Sequence, residues 1–63
     1  MRYTIPRGNW TTALAAAIEV ARDGDVIEVH NAAMLNLAIR AQQRMVHARD
    51  TRIIFEIAQE TTE

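Results

Sequence analysis

A chain of 63 residues without cysteine allows one domain and no disulfide. Its net charge of −1 excludes the basic footprint of a nucleic-acid or anionic-membrane binder, and its 49% hydrophobic content excludes a disordered tail. Apolar burial of about 90 kcal/mol stands against an ordering cost of about the same size, so the chain lies near the lower size limit for folding alone. All seven basic residues are arginine, and they accompany eleven alanines, a bias that reads as a high-GC genome.

Arg2 to Ile5 alternates, with Tyr3 and Ile5 on one side and Arg2 and Thr4 on the other. Period two predicts a short strand, ended by Pro6. Asn9 is placed to cap a helix running to about Arg22, with Trp10, Leu14, Ala17, Ile18 and Ala21 on one stripe. Gly24 follows, where a left-handed residue after the helix suits glycine. Val26 to His30 alternates again, with Ile27 and Val29 facing one way and Val26, Glu28 and His30 the other.

Asn31 is a good cap for a second helix, Ala32 to about His47. Met34, Leu37, Ala38, Ala41 and Met45 form its expected core stripe, and Leu35, Ile39 and Val46 a second stripe beside it. Arg52 to Ile57 then reads as a third strand, with Ile53, Phe55 and Ile57 on one side. Residues 58–63 carry no apolar pattern and are expected to fray from the single domain, 1–63.

The order βαβαβ predicts an α/β fold with a mainly parallel sheet. Strands apolar on one face and charged on the other place both helices over the same face. With right-handed crossovers this favours strand order 1-2-3, a small two-layer fold. A 2-1-3 order would bury Glu28, Arg52 and Glu56.

Candidate chemistry is sparse. The loop Pro6-Arg7-Gly8-Asn9 leads into Thr11 and Thr12, and an anion there would meet Arg7 and the first helical N–H groups. It is neither a dinucleotide fingerprint nor a Walker loop. Asp23-Gly24-Asp25 lacks the further oxygen ligands of a calcium loop. His30 and His47 have no Cys or Ser partner, because the chain contains neither. Arg40, Gln43, Arg44 and His47 make a mildly basic helix face, but no helix-turn-helix surrounds it. No enzyme activity, metal or cofactor is expected. The spare stripe of Leu35, Ile39 and Val46, with Trp10, points instead to self-association, aided by two open sheet edges.

The stretch Ala13 to Val29 (ALAAAIEVARDGDVIEV) resembles the opening helix and first strand of pectate-lyase-like β-helix proteins. No stacked rungs follow, so no sugar-active residue is carried over. By size, composition and layout the whole chain resembles the short uncharacterised proteins of phages infecting high-GC actinobacteria. That resemblance implies an accessory role: self-assembly and binding of a host protein, in takeover, defence evasion or regulation. The N-terminal residues show no export signal, so the expected location is the cytoplasm, the host's if the protein is phage-encoded. The alternative reading is a small anion or nucleotide binder.

Overall fold

The computed structural model describes residues 1–58; of the tail expected to fray, Ala58 is held by its N–H donating to the Val29 carbonyl, and 59–63 lie outside the described residues. The elements are β1 (Arg2–Thr4), α1 (Trp10–Val20), β2 (Val26–Val29), α2 (Ala32–Arg44) and β3 (Ile54–Ile57). The strands form one parallel sheet in the order β1-β2-β3. The 1-2-3 order inferred from the one-sided strands is therefore the order found.

One apolar layer holds the fold together. Leu14, Ala17 and Ile18 of α1 and Met34 and Ala38 of α2 form a cluster with Ile5, Ile27 and Val29. Ile18, Ile27, Val29 and Ala38 are fully enclosed. On the opposite face of the sheet Arg2, Thr4 and Glu56 are exposed and Glu28 is half-buried. Alternation in β2 thus divides core from solvent residue by residue.

The helix ends differ from expectation in ways that have local causes. Asn9 adopts a left-handed conformation (φ 53°, ψ 35°), and its side chain caps nothing. It starts α1 through its carbonyl, which accepts from the Ala13 N–H. Asn31 behaves as expected: it is extended, and its Oδ1 accepts from the Met34 N–H at 2.9 Å.

α1 stops at Val20, short of Arg22, and Ala21 leaves it in an extended conformation. Gly24 is left-handed (φ 90°), but it sits in a β-turn rather than at the helix end. That turn is closed by the Asp25 N–H donating to the Arg22 carbonyl. The Asp25 carboxylate also accepts from the Arg22 N–H at 2.9 Å, which competes with any further helical turn.

α2 ends at Arg44 rather than His47, and Gln42 explains where the chain goes next. Gln42 is buried, and its amide donates to the carbonyls of Ala48 (3.0 Å) and Thr51 (2.6 Å). The segment between them folds back through short turns and buries Ala48. β3 begins at Ile54 instead of Arg52, because the Arg52 backbone is used elsewhere. Its carbonyl accepts from Gly24 and its N–H donates to Asp23 Oδ1.

The apolar arc of α2 is present, but its buried centre is turned from the expected one. Met34, Ala38 and Gln42 are buried, and Leu35 is half-buried against the core. At 100° per residue, that centre lies about 40° from the stripe read off the sequence. Leu37, expected inside, is 46% exposed on one flank; Ile39 is 43% exposed on the other. Val46 lies beyond the helix and is 72% exposed, so Leu35, Ile39 and Val46 do not form one stripe.

Candidate functional site

Two surfaces bring together side chains with chemistry. The first is a groove of about 260 Å³ between the helices. Trp10, Thr11, Leu14 and Ala15 line it from α1, and Leu37, Arg40, Ala41 and Arg44 from α2. Each set is an i, i+1, i+4, i+5 or i, i+3, i+4, i+7 arrangement, so each belongs to one side of its helix. Ala15 and Ala41 are small, which leaves the space open between the larger residues.

The groove has an apolar floor and a cationic rim. Trp10 is half-buried, while Arg40 and Arg44 stand exposed one turn apart. Among the described residues no carboxylate lines it and neither guanidinium makes an ion pair. This is a local excess of positive charge on a chain whose net charge is −1.

The loop before α1 is divided by the fold. Thr11 joins the groove, whereas Arg7 and Thr12 are exposed and do not line it. Arg7 has interactions of its own. The groove was hard to see in the sequence because its two halves are about thirty residues apart. The basic face of α2 was legible; its neighbour Trp10 across the groove was not.

The second surface is the open face of the sheet. Glu28 and Glu56 stand side by side in register on β2 and β3. Arg2 reaches both, at 2.6 Å and 2.7 Å, and the Thr4 hydroxyl donates to Glu28 at 3.0 Å. One guanidinium thereby relieves the repulsion of two neighbouring carboxylates. Arg2 is about half exposed, so these pairs are of the weak, solvent-screened kind. His30 closes the end of this face, its Nε2–H donating to the Ile5 carbonyl.

The hydrogen bonds from Arg2, and then from Thr4, hold the Glu28 carboxyl below its ordinary value of 4.5. Asp25 is held below its ordinary 3.8 by the N-terminal ammonium at 2.7 Å, and next by the Arg22 N–H. A carboxyl whose folded value is depressed contributes stability above its unfolded value, lost as pH falls through the folded one. The stability contributed by these two carboxyls should therefore be fully present above about pH 5 and decline through pH 4 and below, which thermal melts would read. Glu28→Gln should make that decline shallower. An unchanged acid slope in the variant would remove Glu28 from the account.

Among the described residues no group of three His, Asp or Glu side chains is placed to hold a metal, and no helix is long and apolar enough to cross a membrane. Comparison with known proteins yields no match to a family model, to a curated protein or to a solved structure.

Proposed function

We propose that this chain is a non-enzymatic binding protein whose α1–α2 groove receives an acidic, partly apolar segment of another protein. The observation that supports it is the groove's composition: Trp10, Leu14 and Leu37 beneath two guanidiniums with no ion-pair partner among the described residues. An apolar side chain of the partner would rest on Trp10 and Leu37, and flanking carboxylates would meet Arg40 and Arg44. Trp and Arg are the residue types that most often dominate such contacts. In the phage setting implied by the resemblance, the partner would be a host protein.

Peptides selected on the protein from a random display library should be rich in Asp and Glu interspersed with Leu or Phe. Their binding should shift the emission of Trp10, the one tryptophan of the chain. At about 0.2–1 kcal/mol per exposed pair, Arg40→Glu with Arg44→Glu should weaken it about tenfold or more, attraction being replaced by repulsion. Selected peptides without acidic bias, or binding indifferent to both substitutions, would refute the reading.

The same rim supports a second reading as an anion or nucleotide site, with the Thr11 hydroxyl beside the arginines and Trp10 as a stacking surface. ATP titrated into the protein separates the two. Saturable quenching of Trp10 by ATP alone, with no response to the acidic peptides, favours the nucleotide.

A further inference from the structure

The free edge of β1 is built differently from the free edge of β3. The Ile5 N–H donates to the Glu28 carbonyl, and the Val26 N–H to the Met1 carbonyl. In a parallel ladder, residues alternate in the side to which their peptide groups point. Met1, Tyr3 and Ile5 therefore face β2, and the N–H and C=O groups of Arg2 and Thr4 face outward. β1 is an outer strand, and among the described residues no strand covers that side.

Beside this edge runs an apolar trough between β1 and α1. Tyr3, Ala13, Ala16 and Val20 line it, and Val20 is 59% exposed. An open edge flanked by apolar surface is a template for another strand.

We propose that this edge is a homodimer seam, in which two copies pair β1 to β1, antiparallel, about a two-fold axis through Tyr3. Arg2 then stands opposite the second copy's Thr4, and Thr4 opposite its Arg2, each pair exchanging both N–H···O bonds. All the outward peptide groups of Arg2 and Thr4 are satisfied by this one alignment.

Charge selects a second copy as the occupant. On the open face, Arg2 lies in register with Val26 and Ile54, and Thr4 lies in register with Glu28 and Glu56. Arg2 already bridges Glu28 and Glu56 of its own chain, and the two-fold lays it beside the acidic row of the other copy as well, so each acidic row gains a second guanidinium at the seam. On the helix-covered face Tyr3 meets its own symmetry mate, with the Ala16 and Val20 surfaces alongside. The β3 edge offers no such match: Ile54 and Ala58 donate toward β2, so its outward peptide groups are those of Phe55 and Ile57, and the same operation, centred on Glu56, sets that carboxylate against its own symmetry mate. This seam is separate from the α1–α2 groove and stands whether or not that groove binds a partner.

Sedimentation equilibrium over a concentration series tests it, against a monomer mass of 7.1 kDa. The chain should reach twice that mass. Val20→Glu places a charge in the seam at an exposed site, and Thr4→Pro removes an outward N–H while sparing the backbone bonds to β2, losing only the exposed Thr4 hydroxyl bond to Glu28. Both should sediment as monomers with unchanged far-UV circular dichroism. Should Thr4→Pro not fold, Val20→Glu decides alone.

Register is tested by crosslinking, because the chain has no cysteine of its own. Opposed non-hydrogen-bonded residues have Cα atoms about 4.5 Å apart, within disulfide range. Tyr3→Cys should oxidise to a covalent dimer, and Ile57→Cys on the β3 edge should not. A monomer mass for the unmodified chain at every concentration, a dimer that survives Val20→Glu, or crosslinking through Ile57→Cys and not Tyr3→Cys would overturn the proposal.

Discussion

Ile27→Ala should cost about 2–5 kcal/mol, a large part of the stability of so small a chain. Ile27 is fully enclosed on the central strand, with a helix layer above it and a paired strand on each side. Truncation would leave a cavity that two parallel neighbours cannot easily close. A chain of this length has a stability of only about 3–9 kcal/mol by the usual per-residue range. At about 4–8 °C per kcal/mol for a domain this small, the melting midpoint should fall by about 8 °C or more.

Ile54→Ala is the matched control. Ile54 is the neighbour of Val26 on β3, on the open face, and is 48% exposed. Its loss should cost under about 1 kcal/mol, since roughly half of its surface already lies in water. The contrast measures how one-sided the sheet is. Equal losses for the two variants would mean that the open face is covered in solution, and the covering surface would then have to be found.

That one-sidedness was legible in the sequence, and it decided the topology. Ile27 and Val29 alternate with Val26 and Glu28, and a strand so divided has one covered face. From there the right-handed crossover rule leads to the 1-2-3 order. Element number and type followed from periodicity, because each element is short and bounded by Pro, Gly or Asn.

What periodicity missed was decided by polar groups acting at a distance. Asp25 ends α1 and shapes the next turn through hydrogen bonds that alternation cannot express. Leu35 and Leu37 exchange their expected roles because Gln42, a polar residue, occupies the core face of α2. A stripe drawn through apolar residues alone omits Gln42, and its centre is displaced accordingly. The groove was missed for a related reason: it is defined by what two helices leave unfilled at Ala15 and Ala41, not by any residue's own pattern.

Gln42 is the residue whose replacement should be most informative. Its amide holds the Ala48 and Thr51 carbonyls at 3.0 Å and 2.6 Å and so fastens the return from α2 to β3. Gln42→Ala removes both donors and opens a cavity, while Gln42→Leu restores volume but not the bonds. Both carbonyls keep a backbone donor, Thr51 N–H on Ala48 and Ile53 N–H on Thr51, so at about 0.5–1.5 kcal/mol per lost hydrogen bond Gln42→Leu should lose about 1–3 kcal/mol, and Gln42→Ala more because of its cavity. Trypsin should then cut faster at Arg44 and Arg49, which bracket the turn that Gln42 secures.

Gln42→Glu makes the test specific for donation. A carboxylate of nearly the same shape would aim its negative charge at two carbonyl oxygens, which favours the protonated form and raises its folded pKa. Stability gained by the protonated form is present below the unfolded value and lost as pH rises through the folded one. This variant should therefore recover part of its stability, relative to the parent chain at the same pH, between neutrality and about pH 5. If it melts like the parent at pH 7, or fails to recover on acidification, the clamp is not held by the Gln42 amide. The turn would then rest on its own backbone hydrogen bonds and on the burial of Ala48.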